Sequence, residues 1–203
     1  SCAIALGLLA RLDQADVVEA LADHVAEGRD AQTRHFAFMA LADIGKRDLA
    51  HEQEHADVHL ALRELFARQL SRPDTRTNRS WAALAAAIYA RSVRSAVPHL
   101  APMIEQAYAK ESDTSFKAAY AVALGLLDYA PAAGKILEDF TAMQDQEFRG
   151  YAAVALGLMK HEAAGAHGGD AVIGRRRRGE QDGGQHGGDA PVQSDHLVLP
   201  RRD

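Results

Sequence analysis

The chain has 203 residues, 47% of them hydrophobic, and a formal net charge of −5. Its one cysteine, Cys2, excludes an internal disulfide framework, and no apolar run approaches the length of a membrane span. Ala and Leu dominate the apolar residues and few β-branched runs alternate with period two, so the composition points to an all-α protein.

In chain order, Cys2–Leu9 reads as an apolar helix. Ala15–Ala26 places Val17, Val18, Leu21 and Val25 on one face, the pattern of an amphipathic helix. Gly28-Arg29-Asp30 turns the chain into a helix over Ala31–Ile44, with Gly45 as its expected stop. Periodicity resumes by about Val58 and runs to Leu70 through Ala61, Leu62, Leu65 and Phe66. Arg72-Pro73-Asp74 interrupts it, and a further helix covers Asn78–Val93. Pro98 and Pro102 flank the start of the next, which continues through Met103, Ile104 and Ala107, and Pro131 opens another that carries Ile136, Leu137 and Phe140.

One stretch recurs. Gln146–Met159, QEFRGYAAVALGLM, is echoed by Ser115–Leu127, SFKAAYAVALGLL, by Cys2–Leu9, CAIALGLL, and in a diverged form by Thr33–Ile44, TRHFAFMALADI. Each full copy has an Asp four residues before a basic residue: Asp30/Arg34, Asp113/Lys117 and Asp145/Arg149. The shared small residue falls at Gly7, Ala42, Gly125 and Gly157, spaced by 35, 83 and 32 residues, the middle interval having room for two longer repeats. A period of roughly 30–50 residues is the mark of a repeat array. YAAVALGLM is apolar almost all round, so it needs partners on several sides, which a lone hairpin lacks and a stack of hairpins supplies. A glycine inside such a helix costs about 1 kcal/mol relative to alanine, so Gly7, Gly125 and Gly157 are expected where helices approach closely. Asp113 and Asp145 fit N-cap positions, and Lys117 and Arg149 are expected to pair with them or with the next repeat's Asp.

The D-x-x-x-R/K spacing, the A-x-A-L-G core and the V-V-x-x-L type of the preceding helix resemble the HEAT-repeat family, in the short HEAT-like form that bilin lyases also carry. The resemblance covers about residues 1–164 and implies an α-solenoid of four to five stacked antiparallel helix pairs. Thr75–Val93 departs from it, having Trp81, Ile88 and Tyr89 but no A-L-G. The resemblance implies a non-catalytic scaffold whose extended surface engages another protein, with no cofactor, although HEAT-like DNA glycosylases use the same architecture to grip a duplex.

Residues 165–203 differ in kind. They hold nine of the sixteen glycines and no lysine, and Leu197–Leu199 is read as their only candidate core. Such a segment buries too little apolar surface to offset chain entropy, so a disordered tail is expected. Its Gly, Arg, Asp and His enrichment is what out-of-frame reading of a GC-rich gene produces. Because the chain starts at Ser1 inside a helix, it reads as a fragment, and its compartment is not legible.

Two further constellations bear on function. His51-Glu52-Gln53-Glu54-His55 is a literal H-E-x-x-H, with His59 a turn further on. On a helix the two histidines would share a face as zinc ligands with Glu52 as base. A third ligand is not marked, and three histidines one turn apart on a straight helix cannot converge on one tetrahedral ion. The segment is therefore read as exposed loop before Val58, without metal. The His-Glu pairs of a HEAT-like di-iron hydroxylase are also missing from the A-L-G helices, which carry Phe116-Lys117 and Phe148-Arg149 instead. Finally, Arg63, Arg68, Arg72, Arg76, Arg79, Arg91 and Arg94 are opposed in their window only by Glu64 and Asp74. That density could hold phosphates or an acidic protein partner, although the overall negative charge argues against nucleic acid.

Overall fold

The computed structural model describes residues 2–28, 30–48, 51–72 and 76–159. Among these every regular element is helical: α1 (Cys2–Leu9), α2 (Ala15–Glu27), α3 (Ala31–Arg47), α4 (Ala56–Ser71), α5 (Arg76–Ser92), α6 (Val97–Lys110), α7 (Thr114–Leu126), α8 (Ala133–Ala142) and α9 (Gln146–Leu158). Short 3-10 turns, Arg94–Ala96 and Ala130–Ala132, lead into α6 and α8. The all-α expectation therefore holds for the described residues. No helix among them is long and apolar enough to cross a membrane. The chain divides into two units, Ser1–Gly168 and Gly169–Asp203. The tail expectation falls outside the described residues.

Two kinds of helix contact build the first unit. The odd-numbered helices pack in succession, α1 on α3, α3 on α5, α5 on α7 and α7 on α9. Each even-numbered helix packs on the odd helix that follows it: α2 on α3, α4 on α5, α6 on α7 and α8 on α9. Burial follows from this arrangement. In α5, Ala82, Ala83, Ala85, Ala86, Ala87 and Ala90 have no exposed surface, because α3, α4, α6 and α7 all pack on the helix. Alanine thus does in α5 what glycine does elsewhere, and that is why the segment lacks the A-L-G signature.

The glycines show how close the backbones come. A Cβ added at Gly7 would lie 2.8 Å from the Ala40 Cα, and one at Gly125 would lie 2.7 Å from the Ala155 Cα and 2.8 Å from the Ala155 carbonyl oxygen. Ala40 and Ala155 each precede the repeated small position, Ala42 or Gly157, by two residues. The same register therefore joins α1 to α3 and α7 to α9. Gly157 departs from the expectation: nothing lies within 4 Å of an added Cβ. The reason is positional, since among the described residues no helix follows α9, and its Tyr151, Val154 and Leu158 are also exposed.

Gly45 departs too. It does not stop α3 but lies inside it, where an added Cβ would meet the Tyr89 ring at 2.8 Å and the Leu62 Cδ1 at 3.1 Å. It is a socket for an aromatic ring, and α3 runs on to Arg47.

Gly125→Ala is expected to destabilise by about 1–3 kcal/mol through overpacking against backbone, despite the helix-propensity gain of about 1 kcal/mol. Gly157→Ala has only the gain and should be neutral or stabilising. Urea unfolding monitored by circular dichroism separates the two variants.

Candidate functional site

The three repeat aspartates occupy helix N-caps. Asp30 accepts from the Thr33 amide (2.6 Å) and hydroxyl, Asp113 from the Ser115 and Phe116 amides, and Asp145 from the Phe148 amide at 2.8 Å. Each satisfies donors that the first helical turn leaves open. Lys117 and Arg149, expected to pair with these caps or with the next repeat's Asp, instead meet Asp139 and the Phe140 ring. Arg34 donates to the Val25 carbonyl and so closes the end of α2. Arg149 lies over the Phe140 ring, 5.2 Å from its centroid. Asp145 is tied instead to the preceding pair, by the Thr114 hydroxyl at 2.9 Å.

Lys117 is buried and makes the strongest of these cross-links. Its ammonium lies 2.8 Å from Asp139 Oδ2 on α8 and 4.9 Å from the centroid of the Tyr108 ring on α6. Tyr108 donates its hydroxyl to the same Asp139 oxygen at 2.8 Å, and Lys135 approaches Oδ1 at 3.4 Å. Burial pushes the Asp139 carboxyl up, but hydrogen bonds from Lys117 and Tyr108 and the two ammonium charges outweigh it and leave the pKa below its ordinary value. Burial, reinforced by the Asp139 bond, pushes the Tyr108 phenol the other way. Three helices are joined by one satisfied ion pair.

The arginines do not form one patch. Arg63 and Arg68 belong to α4, while Arg72, Arg76 and Arg79 gather at the start of α5. There both Nε (3.1 Å) and Nη2 of Arg79 donate to the Arg72 carbonyl, and Arg76 lies 3.7 Å from Glu111. Arg91 and Arg94 sit at the far end. Twelve residues of helix separate Arg79 from Arg91, roughly 18 Å at 1.5 Å per residue.

The H-E-x-x-H segment is a turn before α4, as the loop reading expects, but its exposure differs from expectation. It does not continue a helix: His51 opens a short turn, and His55 is the residue before the first turn of α4, which starts at Ala56 rather than Val58. The His55 amide nevertheless donates to the His51 carbonyl at 3.0 Å, so the two rings lie on one side of the turn with centroids 6.1 Å apart. Glu52 accepts the Ser95 hydroxyl at 2.8 Å. Nor is the segment uniformly exposed, since His55 is half-buried and His59 is only 6% exposed. All three histidines face one carboxylate that periodicity did not single out, Asp48 at the end of α3. His55 Nδ1 lies 2.7 Å and His59 Nε2 3.5 Å from Oδ2, and His51 Nδ1 lies 3.7 Å from Oδ1. The Asp48 hydrogen bond raises the His55 pKa above its ordinary value.

Between α2 and α4 the surface opens into a groove of about 350 Å³. Val18, Ala22, Val58, Ala61, Leu62 and Leu65 make it apolar, with Glu19, Asp57 and Arg68 also on its walls.

No family model, curated protein or solved structure matches this chain.

Lys117→Met should destabilise by roughly 1–3 kcal/mol, because it leaves the buried Asp139 underpartnered. The double variant Lys117→Met/Asp139→Leu should recover part of that loss, since an apolar pair removes the uncompensated charge. The pH dependence has a definite sign. Asp139 is joined by Asp30, lowered by its Thr33 bonds, and Asp145, lowered by the Phe148 amide and Thr114. Their contribution is complete above the unfolded-state value near 3.8 and is lost as pH falls through the lower folded-state values. Thermal midpoints measured between pH 7 and about pH 2 should fall steeply only at the acid end.

Proposed function

We propose that residues 1–164 form a HEAT-like α-solenoid that works as a non-catalytic interaction module for another protein. The groove between α2 and α4 carries this reading. An apolar trough flanked by both signs of charge suits an amphipathic helix, whose apolar residues would lie along Val18, Ala61 and Leu65 while its charges meet Glu19, Asp57 and Arg68. The solenoid reading is supported by the successive packing of the odd helices and by the recurring Asp caps. The division of the arginines between the two ends of α5 favours a protein partner over a continuous phosphate track.

Site-specific cross-linking tests the proposal. A photoreactive residue at Ala61, which is exposed in the groove, should capture a protein partner, whereas one at the exposed Gly134 on α8 should not. Ala61→Glu should weaken binding of the captured partner at least tenfold, and Gly134→Glu should leave it unchanged. Retention on a polyanion column at physiological salt, lost in Arg72→Ala/Arg79→Ala, would favour nucleic acid instead. Peptide hydrolysis abolished by Glu52→Gln would replace the scaffold reading with an enzyme.

A further inference from the structure

We propose that the pocket between the end of α4, the start of α5 and the second half of α6 binds one phosphate monoester, held chiefly by Arg79 and Lys110. The pocket has a volume of about 300 Å³, and its polar walls are Ser71, Arg79, Gln106 and Lys110. No carboxylate lines it. Among the described residues Arg79 and Lys110 have no acidic ion-pair partner elsewhere either, whereas Arg76 nearby lies 3.7 Å from Glu111. Glu111 is itself held, its Oε1 accepting the Ser112 and Asp113 amides at 3.0 Å. Two cations gathered in one pocket repel each other until an anion joins them. The volume is at the lower limit for a small-molecule site, with room for a phosphate and for part of the carbon skeleton it esterifies.

Arg79 is fixed in place before any ligand arrives. It is half-buried in the first turn of α5, and its Nε and Nη2 donate to the carbonyl of Arg72, the C-cap of α4. That contact answers the negative end of α4 and leaves the other N–H donors of the guanidinium for a ligand. Lys110 brings an exposed ammonium from the last turn of α6, and Gln106, four residues earlier on the same face, adds an amide donor. Ser71 contributes no proton, because its hydroxyl donates to the Ala67 carbonyl at 3.0 Å. Leu70 and Met103 form the apolar wall for the carbon skeleton. Close to this corner the Tyr120 hydroxyl on α7 is buried with no hydrogen-bond partner. Burial pushes that phenol up to about 12, and Arg79, Glu111 and Arg76 are the charges that act on it. A monoester above its second ionisation, near pH 6, carries close to two charges and three acceptor oxygens, which matches two cations; a diester carries one charge. The pocket shares no wall residue with the groove between α2 and α4, so the assignment is independent of the protein-partner reading.

Calorimetric titration of the full chain tests this, with phosphoserine in a short uncharged peptide, a hexose phosphate and a duplex oligonucleotide as probes. One monoester per chain is expected, bound about tenfold more weakly at about pH 5 than at about pH 7 as the phosphate loses its second charge. General attraction to the protein would change in the opposite direction, since the protein gains positive charge on acidification. The tighter of the two monoesters identifies the source as a phosphorylated protein or a phosphorylated metabolite. Lys110→Glu should weaken binding at least tenfold with helicity unchanged, because the side chain is exposed, and Arg79→Gln should do the same. Arg91→Gln, exposed toward the far end of α5, and a variant with Arg175, Arg176, Arg177 and Arg178 all replaced by Gln should bind as the parent does. Absence of saturable monoester binding below about 10 mM, binding unchanged in Lys110→Glu, binding lost with Arg91 or the four C-terminal arginines, or tighter binding of the duplex than of either monoester would overturn the proposal.

Discussion

Backbone-to-backbone approach between successive odd-numbered helices is the constraint on which the rest of the fold depends. At Gly7 against Ala40 and at Gly125 against Ala155 the helices come so near that even a methyl group cannot be inserted. That proximity requires small residues on both sides of each joint, and it explains why α5 is a run of alanines. Dispersion is short-ranged, so this closeness lets alanine, with so little side chain, still make a dense contact. The larger side chains are then available elsewhere. Phe38, Phe66, Tyr89, Tyr108, Tyr120 and Phe148 are all fully buried and fill the space between the odd helices and the even ones that cover them.

Polar groups set the order and angle of the pairs. An Asp cap fixes where α3, α7 and α9 begin, and Thr114 carries one of those caps across to the preceding pair. The Lys117–Asp139–Tyr108 network is more demanding, because a charge buried without partners costs far more than a lost surface contact. It therefore ties α8 to α6 and α7 in one arrangement. At the α3–α5 contact His35 plays a smaller part, stacked on Trp81 and bonded through Nε2 to Asn78 Oδ1 at 2.9 Å.

How much of this could be read from sequence depended on whether the relevant signal was local. Helix positions, the N-cap role of Asp113 and Asp145, and close packing at Gly7 and Gly125 all repeat at a fixed offset from a recognisable string, so a single chain suffices to find them. Gly157 carries the identical string, but its role depends on a neighbour that the string does not encode. Gly45 resembled a helix stop because the Tyr89 ring that fills its place lies 44 residues away. The arginine run was compact in sequence, yet helix geometry divides it between opposite ends of α5. The histidine cluster shows the same limit from the other direction: treating His51, His55 and His59 as one straight helix hid their convergence. A turn before α4 brings them to Asp48, and no spacing rule marks that aspartate.

The exposed face of α9 has a consequence for how the protein comes apart. In an array where each helix pair touches only its neighbours, cohesion is a sum of adjacent joints. α5 has an odd helix on each side, whereas α9 is gripped from one side by α7 and α8, and Val154 remains 53% exposed. α1, with Leu8 and Leu9 exposed, is in the same position at the other end. Among the described residues, α5 is therefore held by more joints than α1 or α9, and its amides are expected to exchange with solvent last.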